Sequence, residues 1–355
     1  MNLYISTYLA SYRLDLCERL SKDCGFAIYH YMGDLIPADV KPYWEDYTFE
    51  NNRLPVKKLF GKYYAVGLKE LLARLRPSVV FIQEFSLITI QLLLLRKKFD
   101  FRVVSICDDN IDMIAGNDYA RLHRLARPWI PRFLDDVILT TPEAVAWYQS
   151  RFGKGRLLPL LPDGEKYRER LKGVIPEAVR FRQEVSAEGK RLILFVGRLV
   201  SFKNIPVLLD AFPPLKEKAC LVIVGKGPMG EECQRIAGEN VHFSGARYGL
   251  DLLACYQAAD VLVLPSYLEA YGAVVGEALL AGCPSIVSEK CGSQSLIRDG
   301  RNGRVILPSD PSALTAALQS VFSDFQVHDG SVLRESLCFE SFDRSFRKLM
   351  EDLAL

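Results

Sequence analysis

The chain has 355 residues, 45 Lys+Arg against 43 Asp+Glu and 49% hydrophobic residues, an ordinary globular composition with more chain than one domain usually holds. Residues 1–180 carry 27 Lys+Arg against 22 Asp+Glu, and residues 181–355 carry 18 against 21, an asymmetry too mild for a nucleic-acid-binding face. The nine cysteines, at 17, 24, 107, 220, 233, 255, 283, 291 and 338, form no C-x-x-C pair, so they read as reduced thiols of a cytoplasmic protein without zinc-ligand spacing.

The opening MNLYISTYLASYRLDLC lacks a basic stretch followed by a long apolar core, so it reads as a strand, Asn2–Ser6, and not as a signal peptide. Tyr12–Lys22 follows as a helix and Phe26–Tyr31 as a second strand. Residues 37–66 show no clear period. There Lys57, Lys58 and Lys62 stand beside Leu59, Phe60, Tyr63 and Tyr64, a mixture that fits either a peripheral membrane contact or a solvated edge over buried aromatics, the second being commoner. Ala65–Leu75 reads as a helix ending before Pro77, Val79–Gln83 as a buried strand, and Thr89–Lys98 as a helix with a basic last turn. Arg102–Ile106 and Val137–Thr141 are further strands, with a helix from Pro142 to Arg151. The apolar run Leu87–Leu95 is too short to span a bilayer. Strand and helix alternate, which predicts a parallel sheet covered on both faces.

Pro159, Pro162, Gly164, Pro176 and Gly189 interrupt this rhythm. The expected organisation is a first domain at 1–165, a linker and lead-in helix at 166–189, a second domain at 190–330, and a C-terminal helix at 331–355 packing back on the first domain. In the second domain the strands Leu192–Val196, Leu221–Val224, Val241–Phe243, Val261–Leu264 and Ser285–Val287 alternate with helices, a second doubly wound α/β unit. Two such units facing across a cleft would offer the usual place for a ligand.

The polar oddities of the second half lie where its strands end. Gly197, Arg198, Lys203 and Asn204 follow the first of these strands, Gly225, Lys226 and Gly227 the second, and Ser266, Glu269, Tyr271 and Gly272 the fourth. The stretch Leu264–Gly282 sets Glu269 and Glu277 among apolar residues, and a buried carboxylate needs partners. Cations suit a diphosphate, carboxylates suit sugar hydroxyls, and glycines allow close backbone approach.

The series FVGRLVSFKN (195–204), VIVGKGP (222–228), Y-x-x-A-D-V-x-V-x-P-S (256–266), EAYGAVVGEALLAGCPSI (269–286) and DGRNGRV (299–305) resembles, in order, the retaining glycosyltransferases of family 4, which have the two-domain GT-B fold. The first half is similar only in pattern, apart from Thr7–Arg13, which resembles bacterial surface-polysaccharide members. The resemblance implies that Arg198 and Lys203 stabilise the leaving diphosphate and that Glu269 holds a hydroxyl of the transferred sugar. Glu277 would hold the ribose. Gly197, Gly225, Gly227, Tyr271, Gly272 and Ala273 would line the donor site, with His242 and Phe243 near the nucleobase. On the acceptor side stand Arg13, Asp108 and Asp109; Asp108 and Asp109 are equally readable as turn or capping aspartates. Cys107-Asp108-Asp109 follows a strand end where many relatives carry His-Asp, so a His-based role is in doubt; Ser295 stands where relatives often carry Glu, which favours the non-catalytic alternative below.

The expected activity is transfer of a hexose or N-acetylhexosamine from a nucleotide-diphosphate sugar to a glycan or lipid-linked acceptor in bacterial surface-polysaccharide synthesis. It would need no metal and no cofactor, would involve no nucleic acid, and would take place in the cytoplasm or at the inner face of the cell membrane. Three alternatives share the fold: a sugar-nucleotide epimerase, a phosphorylase, and a non-catalytic nucleotide-sugar-binding subunit. A nicotinamide dehydrogenase is disfavoured, since no G-x-G-x-x-G opens either domain.

Overall fold

A computed structural model describes all residues except 39, 60, 117–123, 125 and 126. The chain divides into one unit of Met1–Leu160 with Ser345–Leu355 and another of Leu161–Arg344.

In the first unit the strands are β1 (Asn2–Ser6), β2 (Phe26–His30), β3 (Asn51–Arg53), β4 (Val56–Leu59), β5 (Lys62–Ala65), β6 (Val79–Gln83), β7 (Arg102–Cys107), β8 (Asp136–Leu139) and β9 (Arg156–Leu157). Seven of them form a sheet in the order β3-β2-β1-β6-β7-β8-β9, with parallel neighbours throughout. Central strands such as VVFIQ are buried at every position, because helices cover both faces. Ser86 starts the helix Leu87–Phe99 by accepting from the Thr89 N–H, and Thr89 bonds back to the Ser86 backbone. Thr141 caps the helix Pro142–Phe152, which ends at left-handed Gly153.

The unassigned stretch 37–66 supplies the edge strand β3 and the antiparallel hairpin β4–β5. The basic residues Lys57, Lys58 and Lys62 therefore stand on a hairpin and not on a helix; Lys58 lies over the Tyr63 ring, which packs on Tyr31. Phe60 lies outside the described residues.

The second unit contains β10 (Arg191–Val196), β11 (Ala219–Val224), β12 (Val241–Gly245), β13 (Val261–Leu264), β14 (Ser285–Ser288) and β15 (Gly303–Ile306), paired in parallel in the order β12-β11-β10-β13-β14-β15. Sequence order reverses between β10 and β13. Such a switch point opens a crevice beyond the carboxyl ends of the two strands.

Two helices, Gly164–Gly173 and Ile175–Glu184, occupy most of the stretch between the two sheets and cluster with the second unit. Buried Arg182 on the later helix pairs with buried Asp260 at 2.9 Å and donates to the Ala258 and Ala187 carbonyls. The helix expected from Ser331 begins only at Phe342. Residues 331–341 run as an irregular strap because side chains engage their backbone: Gln257 donates to the Gly330 and Val332 carbonyls and Asn302 to that of Leu337. Arg334 in turn donates to the Ala259 and Tyr256 carbonyls at the end of the helix Gly249–Ala258. The terminal segment lies with the first unit, where Arg102 donates to the Leu353 carbonyl at 2.8 Å.

Candidate functional site

The strands at the switch point of the second unit end in loops that bind one another. Tyr267, after β13, donates its N–H to the Phe202 carbonyl of the loop after β10 at 2.8 Å. Asn204, buried and left-handed at φ 54°, donates its amide to the Pro265 carbonyl at 3.1 Å and to that of Pro308. These bonds fix the chain just before Ile205–Ala211 and hold Lys203 at the junction.

Lys203 is buried, and its ammonium forms an ion pair with Glu269. Glu269 is itself held through its backbone: its N–H donates to the Lys290 carbonyl at 3.2 Å, and its carbonyl accepts from the Gly292 N–H at 3.2 Å. The expected acid and base are thus partners on a braced frame. Arg198, by contrast, is exposed on the same loop as Lys203 and has no ion pair among the described residues. One cation is neutralised and positioned while the other is available to an incoming anion.

Gly272 precedes the helix Ala273–Leu280 at φ 89°, and an added Cβ would come within 2.7 Å of the Leu264 side chain and 3.0 Å of Ser293 Oγ. Among the described residues no side chain caps this helix start; the Val275 N–H bonds the Gly272 carbonyl at 3.1 Å, and a helix N-terminus of this kind suits an anion. Tyr271 is buried and its carbonyl accepts from the Ser293 N–H at 2.8 Å. Glu277, further along the helix, is half-buried and accepts from the Tyr256 hydroxyl at 2.7 Å. Burial raises its pKa, and the Tyr256 bond partly opposes that rise. Tyr256 heads the Y-x-x-A-D-V pattern, which by itself gives it no role in the site.

Gly225 and Gly227 have a structural reason to be glycine. A Cβ on Gly225 would fall 1.8 Å from the Gly197 carbonyl oxygen, and one on Gly227 would fall 2.3 Å from that of Leu199. Their role in the fold is to let the loops after β10 and β11 touch. His242 and Phe243 sit inside edge strand β12, which reaches the loop cluster only at Gly245, where the Gly225 N–H donates to its carbonyl at 2.7 Å. The His242 pKa is lowered by burial and then by Lys190.

At the carboxyl edge of the first unit's sheet, the structure brings Arg13, Asp108 and Asp109 together in pairs. Arg13 is buried against Asp108, and Asp109 bonds Arg127 at 2.7 Å. A residue missed from sequence feels the charges of both pairs. Glu84 directly follows β6, has φ 62°, and its pKa is raised to about 7, by burial and then by Asp109 and Asp108. An acid directly after a fully buried strand was the available signal.

Residues 190–324 match the family described as Glycosyl transferases group 1, and the second unit accordingly carries a domain of that group. The chain is 34% identical over 157 residues to the uncharacterized glycosyltransferase MJ1607 of Methanocaldococcus jannaschii, a match covering 42% of this chain and 40% of that protein. It is 31% identical over 214 residues to the D-rhamnosyltransferase WbpZ of Pseudomonas aeruginosa, covering 56% and 53%. The chain thus spans about half or less of the length of these relatives. The crystal structure of Anabaena Alr3699/HepE in complex with UDP-glucose superposes with a TM-score of 0.76 at 15% identity, covering 100% of this chain and 99% of that one. This likeness shows the fold: the two doubly wound units are those of GT-B proteins.

Proposed function

We propose that this protein is a retaining glycosyltransferase that moves a hexose or N-acetylhexosamine from a nucleotide-diphosphate sugar to a glycan or lipid-linked acceptor. The observation that carries this reading is the Lys203–Glu269 pair at the switch point, beside exposed Arg198 and the start of the helix Ala273–Leu280, which no side chain of the described residues caps. Arg198, Lys203 and the backbone N–H groups after Gly272 neutralise the diphosphate. Glu269 accepts from a hydroxyl of the transferred sugar, and Glu277, oriented by Tyr256, accepts from the ribose hydroxyls.

In the reaction, the bond from the anomeric carbon to the β-phosphate oxygen breaks and the acceptor oxygen bonds on the same face. The acceptor proton passes to the departing phosphate. The developing charge sits on the diphosphate, where fixed cations stabilise it more than they do the ground state. The two carboxylates position the donor and do not form an acid–base pair. The first unit takes the acceptor, and the setting is bacterial surface-glycan assembly at the cytoplasmic face of the membrane.

Incubation with radiolabelled nucleotide sugars and an acceptor panel tests this. Label on a new glycosidic product supports it. Label recovered only in an epimerised donor, or in no product from any donor, overturns it.

A further inference from the structure

The first unit contains a cavity of about 430 Å³ that the proposed donor chemistry does not use, of a size typical for small-ligand sites. Its walls are Arg127, Arg132 and Arg151 with the rings of Trp147, Tyr148 and Phe152. Three guanidiniums line it, and among the described residues no carboxylate does.

The arginines are held in different ways. Arg127 is buried, bonded to Asp109 at 2.7 Å, and lies over the Phe85 ring at 5.3 Å, so its charge is balanced. Arg132 and Arg151 have no carboxylate partner among the described residues. Arg132 lies over the rings of Trp129 and Phe152 at 4.8 and 5.7 Å, and Arg151 over Trp147 at 4.3 Å. A guanidinium stacked on a ring keeps its N–H donors in its own plane, where they can fork onto an oxyanion; Arg132 spends one of them on the Pro128 carbonyl at 2.5 Å and keeps the others. The backbone that carries Arg132 is also fixed, since the Lys154 ammonium donates to the carbonyls of Pro131, Arg132 and Leu134. Through Arg132 and Arg151 the cavity thus presents oriented positive charge that no carboxylate of the described residues offsets, beside a flat apolar wall. Both arginines are exposed at the mouth of the concavity, so a ligand can reach them from solvent.

We infer that this cavity binds a phosphate ester carried on an apolar or sugar body, the phosphate between Arg132 and Arg151 and the body against Trp147 and Phe152. Because Arg127 also bonds Asp109 just beyond β7, the cavity adjoins the carboxyl edge of the first unit's sheet. The assignment of this ester as the anionic part of the acceptor rests on the transferase reading; the binding itself does not.

Calorimetry on the full chain tests the binding with hexyl phosphate, glucose 6-phosphate and neutral hexyl glucoside, alongside flotation with phosphatidylcholine vesicles with and without phosphatidic acid. At least one phosphate ester is expected to bind, and R132Q/R151Q should weaken it about tenfold or more while far-UV circular dichroism and nucleotide binding stay unchanged. Preference for hexyl phosphate and phosphatidic acid vesicles identifies a lipid-borne ester, and preference for glucose 6-phosphate a sugar-borne one. The inference is overturned if no phosphate ester binds, if hexyl glucoside binds as well as hexyl phosphate, or if R132Q/R151Q binds like wild type. Nucleoside diphosphate binding in the same samples reports on the transferase reading separately.

Discussion

Lys203 and Glu269, which are 66 residues apart, form an ion pair where the loops after β10 and β13 meet. Both are well shielded from water, so removing either leaves the other charge poorly compensated. On the transferase reading, Lys203→Ala removes a transition-state cation and lowers kcat/KM by about 100-fold or more. Glu269→Ala should cost as much in kcat while leaving nucleoside diphosphate affinity within about threefold, because it contacts the sugar. Steady-state kinetics with labelled donor, with circular dichroism as a check on folding, would decide. Wild-type turnover in either variant sinks the assignment.

Glu277 and Tyr256 make a prediction about the nucleotide. If Glu277 holds ribose hydroxyls, wild type should bind the ribonucleoside diphosphate about tenfold more tightly than its 2′-deoxy analogue. Glu277→Ala should bind the two equally. Tyr256→Phe, which removes the 2.7 Å bond, should show an intermediate ratio. Titration calorimetry gives all three ratios, and undiminished discrimination in Glu277→Ala contradicts the role.

Glu84 gives stability a pH signature. Its folded pKa of about 7 lies above the ordinary carboxylate value, so between those two values the folded state binds more protons than the unfolded state. This contribution makes stability fall as pH rises from about 4.5 to about 7, and it is flat above. His328, pushed down to about 4 by burial, acts oppositely: its contribution is lost as pH falls from about 6.5 to about 4. The test is therefore a difference. Glu84→Gln should gain about 2 °C or more in Tm relative to wild type at pH 8, and little at pH 4.5. A difference independent of pH would refute the raised pKa.

Asp260 should be a stability residue and not a functional one. It pairs with Arg182, accepts from the Leu192 N–H at 2.7 Å and from the His328 N–H at 2.8 Å, and is almost wholly buried. Asp260→Ala leaves Arg182 uncompensated and should cost about 3–5 kcal/mol in urea denaturation. Asp260→Asn should cost less. Loss of activity in the alanine variant without loss of stability would contradict this.

On the transferase reading, exposed Arg198 and, once Glu269 accepts from the sugar hydroxyl, Lys203 carry the diphosphate charge, so transfer is expected to need no divalent metal. Turnover after exhaustive EDTA treatment and gel filtration should match untreated enzyme within about twofold, and Mg²⁺ should not be required. Abolition by EDTA with recovery on Mg²⁺ would overturn this.

The sequence alone determined the two alternations of strand and helix, because strands covered on both faces read as short apolar runs and the flanking helices carry their own start and stop signals. It also determined that the polar residues of the second half cluster at strand ends. It left 37–66 unassigned and extended the last helix too far, since the hairpin β4–β5 and the strap 331–341 are set by contacts distant in sequence. Only the tertiary structure decided which charges are partners. Arg13 with Asp108, Lys203 with Glu269 and Tyr256 with Glu277 meet because strand order brings their loops or helices together, across separations of 95, 66 and 21 residues. The same holds for Glu84, whose pKa is raised by burial and two neighbouring aspartates, and for Arg132 and Arg151, which have no carboxylate partner among the described residues. Local chemistry writes the elements; which acid compensates which base depends on the sheet order that joins them.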